Sequence, residues 1–215
     1  MKRLILFLAA LLLSGAAFAQ TDYDSQRRSL FEVLPVRSND IIFLGDGLTD
    51  GCEWAELFDN RHIKNRGIRG DRSDRLLERI DTLIAGHPKK IFLMIGVNDL
   101  AAGVAPERVV ANVRRLIDRF RAESRWTKLY VQSILPVNGR SFDRHAEHYA
   151  HAAAIVETNR LLAELCAEQQ IVYLDVHAAL VDSNGDLNAA YTDDGLHLLG
   201  EGYLLWKEAI KGYVK

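Results

Sequence analysis

Five short runs rich in Ile, Val, Phe and Tyr alternate with segments of helical periodicity, and this alternation constrains the fold more than any other feature. The runs are Ile41 to Leu44, His62 to Asn65, Lys90 to Ile95, Lys128 to Ile134 and Ile171 to Val176. The helical segments cover Asp50 to Phe58, Ser73 to Ile84, a segment that starts at Pro106, Glu147 to Glu168 and Gly200 to Tyr213. Strands that alternate with helices form a parallel sheet covered on both faces. The sequence therefore predicts an α/β fold, a three-layer α/β/α sandwich with a parallel sheet of about five strands.

The N-terminus differs in composition from the rest of the chain. Two basic residues precede an apolar run from Leu4 to Leu13, and small residues follow up to Ala19. This order is typical of a cleavable secretory signal peptide. A membrane anchor is the alternative, but the run is short for the roughly 20 residues that a spanning helix needs. We expect a signal peptide over residues 1–19, one domain over residues 20–215, no stable membrane anchor, and a periplasmic or secreted protein.

The charge balance argues against nucleic acid as a partner. The chain has 27 Lys and Arg against 29 Asp and Glu, which leaves a formal net charge of −2. Nucleic-acid-binding domains carry a basic patch or stripe, and the cationic residues here are scattered. We expect no nucleic-acid partner.

Residue types that bind metals occur, but their spacing does not favour a metal site. Cys52 and Cys166 are the only cysteines, and they are far apart in sequence. A secreted protein could join them in a disulfide, but we favour two buried thiols. His145, His148 and His151 would spread over about 9 Å of helix axis, so we interpret them as a solvated or partly packed helix face.

Three glycine-containing turns are expected to meet at one edge of the sheet. Gly45 to Gly47 follows the first strand, Gly67 to Asp71 the second, and Gly96 to Asp99 the third. In an open parallel sheet the active crevice lies outside the carboxyl ends of the strands. The segment Asp194 to His197 precedes the last helix and is able to reach the same edge.

The residues in these turns resemble a known family. The strings Gly45-Asp46-Gly47-Leu48, Gly96-Val97-Asn98-Asp99 and Asp194-Gly195-Leu196-His197 are similar to conserved blocks of the SGNH/GDSL esterases, whose first block is Gly-Asp-Ser-Leu. The resemblance extends from Asp40 to about Lys215. Local strings such as 65–68 and 132–136 look most like the secreted bacterial branch labelled sialate O-acetylesterase or acetylhydrolase. In this chain Gly47 stands where the family has its nucleophilic serine.

The resemblance implies a role for each remaining site residue. His197 would be the general base, and Asp194 would orient it. The oxyanion hole would consist of the Gly47 N–H, the Gly70 N–H and the side-chain amide of Asn98. No metal and no organic cofactor are implied.

The resemblance also points to a substrate class, a small acylated molecule such as an O-acetylated carbohydrate. Asp46 lies in the turn itself, and Trp54 follows it closely in sequence, so we expect both beside the substrate. Arg69 stands where the family has a small residue before the oxyanion glycine. It is expected to border the acyl pocket.

Replacing serine by glycine removes the oxygen that would form the acyl-enzyme and leaves the other groups in place. Thr49, Ser73 and Ser133 are the nearby hydroxyls. Thr49 should point away from the turn, Ser73 should cap the next helix, and Ser133 occurs in the family beside a working serine. We therefore predict an esterase scaffold whose activity is lost or very low.

Two alternatives belong to other functional classes. The first is a non-catalytic protein that binds a glycan or an acyl ligand in the retained crevice. The second is a flavodoxin-like cofactor binder, which matches the order of elements but lacks a phosphate-binding loop after the first strand.

Overall fold

The computed structural model describes residues 23–215. The predicted signal peptide, residues 1–19, lies outside the described residues. Within the described part, no helix combines the length and the apolar character needed to cross a bilayer. Cys52 and Cys166 are both buried free thiols, as expected from the sequence.

The centre of the fold is a sheet of five parallel strands. They are β1 (Ile41–Gly45), β2 (Ile63–Gly67), β3 (Lys90–Met94), β4 (Lys128–Gln132) and β5 (Val172–Leu174). Their spatial order is β2-β1-β3-β4-β5, and each neighbouring pair is parallel. Every residue of β1 and β3 is buried, as continuous apolar runs in a sheet covered on both faces require. The predicted fold class is confirmed.

Helices cover both faces of this sheet. They are α1 (residues 23–33), α2 (Gly47–Asp50), α3 (Trp54–Leu57), α4 (Ser73–Leu77), α5 (Asp81–Gly86), α6 (Val97–Ala101), α7 (Pro106–Glu123), α8 (Ala146–Tyr149), α9 (Ala152–Glu168) and α10 (Gly200–Val214).

One face of the sheet carries an aromatic ladder. Phe43, Phe92 and Tyr130 are register partners on three adjacent strands, and their rings stack at centroid distances of 5.0 and 4.7 Å. Trp54 of α3 stacks on Phe43 at 4.3 Å, and Trp206 of α10 meets Trp54 edge to face. Large aromatic rings bury much apolar area, so this ladder ties α3 and α10 to the sheet.

The opposite face packs against α7. Pro106 is the first residue of this helix, where its missing N–H is not needed. The apolar stripe that the sequence predicts is buried along α7 at Val109, Val113, Leu116, Ile117 and Phe120. With helices on both faces, the molecule is the expected three-layer sandwich.

The predicted helix from Asp50 to Phe58 is wrong in its bounds, because α2 ends at Asp50 and α3 starts at Trp54. The Asn65 side-chain amide donates to the carbonyl oxygens of Thr49, Asp50 and Cys52 at 2.9, 3.1 and 3.0 Å. These carbonyls lie at the end of α2, where a helix leaves backbone acceptors without partners inside the helix, and those of Thr49 and Cys52 also accept from Trp54. A side chain from β2 therefore stabilises the interruption.

The predicted helix from Ser73 to Ile84 is also divided, into α4 and α5. Between them lies Arg79, whose buried guanidinium pairs with Asp71 at 2.7 Å and donates to the Gly45 carbonyl at 3.1 Å. The turn between α4 and α5 places the Arg79 guanidinium at the end of β1. Sequence periodicity alone does not reveal such a tertiary contact.

We expect Gly67→Ala to destabilise the fold. A Cβ atom at Gly67 would lie 2.2 Å from the Asp50 backbone nitrogen and 2.7 Å from the Asp46 carbonyl oxygen, and neither backbone atom has room to move. Overpacking of this kind costs about 1 to 3 kcal/mol or more in the free energy of unfolding. Denaturant unfolding measures the change.

Gly212→Ala is the matched control, because a Cβ atom at this helical position would meet no atom within 4 Å. The control should leave the free energy of unfolding unchanged or raise it by up to about 1 kcal/mol. Equal stability of the two variants would contradict the close approach of β2 to α2.

Candidate active site

The first turn of the site joins β1 to α2. Asp46 caps α2, and its carboxylate accepts a hydrogen bond from the Leu48 N–H at 3.0 Å. Gly47 is the first residue of the helix, so its own N–H has no partner within the helix. The turn thus holds a backbone N–H donor at Gly47, which by resemblance corresponds to the serine of the family's first block.

Gly47 leaves room for a side chain, whereas Gly45 and Gly67 do not. A Cβ atom at Gly45 would lie 2.2 Å from the Met94 carbonyl oxygen, and the corresponding atom at Gly67 is blocked as described above. At Gly47 the nearest atom to a Cβ is the Arg69 Cα at 3.4 Å, which is an ordinary contact. Packing therefore requires glycine at positions 45 and 67 but not at 47.

The second turn follows β2 and lies against the first. The Ile68 N–H donates to the Gly45 carbonyl at 3.2 Å, and Arg69 follows directly. Gly70 has a φ of +71°, a left-handed conformation that favours glycine. The Arg69 side chain is 66% exposed, and its Nε lies 3.4 Å from the Asp50 carboxylate.

Asn98 joins the third turn to the second. It follows β3 in α6, and its side-chain nitrogen donates to the Asp71 carbonyl at 3.0 Å. Since an amide group has two N–H donors, one remains for another acceptor. The neighbouring Asp99 accepts from the Ser73 N–H at 2.9 Å and from the Ser73 hydroxyl at 2.6 Å. These bonds fix the two turns relative to one another.

Asp194 and His197 form the expected acid–imidazole pair. His197 Nδ1 lies 2.7 Å from Asp194 Oδ2, while Asp194 Oδ1 accepts from the N–H groups of Leu196 and His197 at 2.9 and 2.8 Å. The tight turn uses Gly195 at a φ of +84°, where a Cβ atom would lie 2.2 Å from the Asn138 carbonyl oxygen.

The Asp194 carboxyl is held in its charged form. Burial alone would raise its pKa, but the hydrogen bonds from His197 and from the backbone N–H groups of Leu196 and His197 outweigh burial and hold the pKa below its usual range. A carboxylate that accepts a hydrogen bond from an imidazole nitrogen fixes the orientation and tautomer of that ring. Because Nδ1 is paired with Asp194, the other ring nitrogen of His197, Nε2, is available for a different partner.

A single cavity brings the first turn and this pair together. Its volume is about 390 Å³, and Gly47, Arg69, Asp194 and His197 all line it. Tyr203 of α10 also lines it and donates to the Leu48 carbonyl at 2.9 Å. The cavity therefore joins Gly47 to the acid–imidazole pair, whereas Gly70 and Asn98 belong to the adjoining turns.

The nearby hydroxyls are all engaged elsewhere or enclosed. Thr49 is buried, and its oxygen has no hydrogen-bond partner among the described residues. Ser133 Oγ accepts from the His177 N–H at 2.7 Å. Ser73 does not cap its helix as predicted, because it is the first helical residue and bonds to Asp99 instead. None of the three lines the cavity described above.

Two of the predicted substrate contacts need correction. Trp54 is 1% exposed, stacks on Phe43, and donates its indole N–H to the Thr49 carbonyl at 2.8 Å. Asp46 is also 1% exposed, and its carboxylate is used as a helix cap. Both side chains are therefore buried and stabilise the turn through hydrogen bonds, and neither is exposed to contact a ligand. Arg69 does border the cavity.

The histidine segment does not form the solvated helix face that we expected. The predicted helix from Glu147 to Glu168 is divided into α8 and α9, and His145 and His148 face the site. His145 Nε2 lies 3.2 Å from Asp194 Oδ2, and His148 Nε2 lies 3.3 Å from Asn98 Oδ1. Burial lowers the pKa of His148, although Glu147 opposes the shift.

Sequence reasoning missed these two residues, although the three-residue histidine spacing was visible. Three-residue spacing places histidines along one face only on a continuous helix, and the chain breaks before α9. Two overlapping groups in this region have metal-ligating atoms within 4.8 Å of one another, namely His145 with Asp194 and His197, and His145 with Glu147 and His148.

Comparison with known proteins identifies related chains. Residues 43–205 match the GDSL-like Lipase/Acylhydrolase family. The chain is 29% identical over 180 residues to the N-acylneuraminate cytidylyltransferase of Escherichia coli, covering 82% of this chain but only 41% of that protein. It is 27% identical over 175 residues to the human platelet-activating factor acetylhydrolase IB subunit alpha1, covering 76% and 70% of the two chains.

Solved structures share the architecture. A Streptococcus pneumonia protein provisionally named a platelet activating factor superposes with a TM-score of 0.84 at 32% identity, covering 97% of this chain and 99% of that one. A catalytic mutant of an acetylxylan esterase from Geobacillus stearothermophilus, with a serine changed to alanine, gives a TM-score of 0.67 at 18% identity over 83% and 95% of the chains. This second similarity establishes the fold alone.

The buried Asp46 generates a prediction about pH and stability. Burial raises the pKa of Asp46 to about 7 from a usual 3.8, against the opposing effect of the Leu48 N–H. The folded state thus holds a proton that the unfolded chain releases between about pH 4 and 7, so the stability that this proton contributes is lost as the pH rises. Asp46→Asn keeps the helix cap and removes the titration.

We expect the free energy of unfolding of the unaltered chain, relative to Asp46→Asn, to fall by about 1 to 3 kcal/mol from pH 4.5 to pH 8. Denaturant titrations at several pH values measure it. Asp143→Asn, at an exposed position, is the control and should follow the unaltered chain. Parallel pH curves for the unaltered chain and Asp46→Asn would contradict a protonated Asp46.

Proposed function

The chain belongs to the GDSL-like lipase/acylhydrolase family, and from this premise we propose that its cavity is an ester-hydrolase site in which Gly47 occupies the nucleophile position. The observation that carries the proposal is that Gly47, Asp194 and His197 line one cavity. The lost serine makes the chain as it stands an esterase of very low activity.

The proposed chemistry assigns a task to each group. With a hydroxyl at position 47, His197 Nε2 would take its proton while Asp194 stabilises the imidazolium that forms. The oxygen would attack the ester carbonyl, and the developing oxyanion would accept hydrogen bonds from the Gly47 N–H, the Gly70 N–H and the Asn98 amide. In the chain as it stands only the attacking oxygen is missing.

Loss of a triad nucleophile lowers kcat by about 10⁶-fold. The oxyanion donors and substrate binding still accelerate the reaction by roughly 10³- to 10⁴-fold over water. Cys52 and Cys166 do not line the cavity and give no alternative nucleophile. We therefore propose that water is the attacking nucleophile in any ester hydrolysis by the unaltered chain.

We propose a small O-acetylated molecule, in particular an acidic carbohydrate, as the substrate class. Relatives include an acetylhydrolase and a protein named for N-acylneuraminate, which is an acidic sugar. The cationic side chains of Arg69 and Arg144 both line the cavity and would attract a substrate carboxylate.

The location of the protein is proposed on sequence grounds. Residues 1–19 would direct the chain through a membrane and be removed, leaving one domain over residues 20–215 in the periplasm or outside the cell. The family match favours the hydrolase over a protein that only binds ligands.

Gly47→Ser should restore esterase activity. The position has room for a Cβ atom, and its backbone is not in the left-handed region, so serine should fit without strain. We expect hydrolysis of p-nitrophenyl acetate to rise on the order of 10³-fold or more, because the nucleophile completes the triad. Steady-state kinetics on the purified chain measures the change.

Gly47→Ala is the matched control, since it adds the Cβ atom without the hydroxyl. Adding His197→Ala to the serine variant should abolish the gain. If Gly47→Ser is no faster than Gly47→Ala, the proposed function is wrong.

Arg69→Gln tests the acidic substrate in the Gly47→Ser background. An exposed charge contributes about 0.5 to 1 kcal/mol to binding an opposite charge, so KM for an O-acetylated sialic acid should rise roughly two- to fivefold. KM for the uncharged p-nitrophenyl acetate should change little. Equal effects on both substrates would contradict recognition of a carboxylate by Arg69.

A further inference from the structure

The geometry points to a binding site for a divalent transition-metal ion of the zinc class, formed by His145, Asp194 and His197. Imidazole nitrogens and a carboxylate oxygen are typical zinc ligands. The histidines come from different parts of the chain, since His145 precedes α8 and His197 precedes α10. The fold itself therefore brings the ligands together.

The distances suit a single ion. His145 Nε2 and His197 Nδ1 lie 3.2 and 2.7 Å from the same oxygen, Asp194 Oδ2, and all three ligand atoms lie within 4.8 Å of one another. Zinc binds such atoms at about 2.0 to 2.2 Å, so neighbouring ligand atoms in a tetrahedron are roughly 3.3 to 3.5 Å apart. The 3.2 Å separation of His145 Nε2 from Asp194 Oδ2 is close to this value. The 2.7 Å separation of His197 Nδ1 from the same oxygen needs to increase by less than about 1 Å.

The carboxylate is already fixed in place. Its other oxygen, Asp194 Oδ1, accepts from the Leu196 and His197 N–H groups, so Oδ2 remains for the ion and the two imidazoles. On its other side, His145 Nδ1 lies 3.8 Å from Glu147 Oε1, which is within ion-pair range but longer than a hydrogen bond.

The site is open to solvent. The side chain of His197 is 47% exposed, that of His145 is 21% exposed, and both line the cavity of about 390 Å³. Three protein ligands would hold the ion, and water would complete its coordination. An ion therefore has both an entry path and a free coordination position.

The ion would exclude the base function of His197, and this consequence rests on the proposed function. A metal on Nδ1 uses the lone pair of that nitrogen, so the ring proton must sit on Nε2. An Nε2–H group is unable to take a proton from a hydroxyl at position 47. Metal binding and ester hydrolysis therefore compete for one imidazole.

A neighbouring arrangement makes a competing prediction. His145, Glu147 and His148 also have ligand atoms close together, with His148 Nδ1 at 3.1 Å from Glu147. This group contains no residue of the acid–imidazole pair. Its carboxylate is 58% exposed, whereas Asp194 is 7% exposed, so we favour the less hydrated carboxylate.

Calorimetric titration of the chelator-treated, unaltered chain with zinc chloride tests the site. We expect one equivalent to bind, and we expect His145→Ala and the isosteric Asp194→Asn each to weaken binding at least tenfold. His151→Ala is the matched control, since His151 belongs to neither group, and it should bind zinc as the unaltered chain does. Circular dichroism of each variant checks that the loss is not caused by unfolding.

Other outcomes would overturn the proposal. Absence of saturable binding by the unaltered chain would mean that the three side chains are only hydrogen-bonded. Loss of binding in His148→Ala but not in Asp194→Asn would assign the ion to the neighbouring group.

A second measurement separates this proposal from the proposed function. In Gly47→Ser, zinc at a concentration that saturates the titration should lower the rate of p-nitrophenyl acetate hydrolysis at least tenfold, and a chelator should reverse the loss. With His145→Ala added, the ratio of rates with and without zinc should approach one. An inactive Gly47→Ser chain that still binds zinc would refute the esterase proposal alone, and an active chain insensitive to bound zinc would refute the competition for His197.

Discussion

The site depends on the close approach of backbone segments at the carboxyl ends of β1, β2 and β3. Gly45 lies against the Met94 carbonyl, and Gly67 lies against the Asp50 backbone nitrogen, at distances that no side chain tolerates. Backbone contact at these two points sets the position of the turn that carries Gly47. Because the β strands around it are buried in a three-layer sandwich, the turn rests on a rigid support.

A chain of polar contacts then connects the four segments of the site. The second and third turns are joined by Asn98 and Asp71, the third turn meets α8 through His148, and His145 reaches Asp194. Each contact is made by groups that are at least partly buried, where hydrogen bonds are stronger and unpaired groups are costly. The contacts that organise these groups therefore do not involve the side chain of residue 47.

Much of the fold was predictable because its signals are local. Apolar strand runs gave β1 to β5, and Pro106 with its apolar stripe gave α7. The Asp194–His197 contact was also predictable, because three residues on a tight turn place carboxylate and imidazole side by side. The roles of these residues in catalysis stay predictions, as does the signal peptide.

The features that were missed depend on tertiary contacts. Trp54 is close to Gly47 in sequence, but the aromatic ladder of Phe43 draws it into the core. The helix breaks at Arg79 and before α9 arise from an ion pair with Asp71 and from contacts to Asn98 and Asp194, which no periodicity encodes. The contact between the His145 and His197 rings likewise depends on tertiary structure and has no signal in the local sequence.

The proposed function requires that three hydrogen-bond donors converge on the space beside residue 47. A crystal structure of Gly47→Ser after reaction with a small phosphonate ester tests this directly, because the tetrahedral adduct mimics the intermediate of ester cleavage. We predict a covalent adduct on the new serine, with its phosphoryl oxygen within hydrogen-bond distance of the residue 47 N–H, the Gly70 N–H and the Asn98 amide. An adduct whose phosphoryl oxygen points away from these groups would contradict the account.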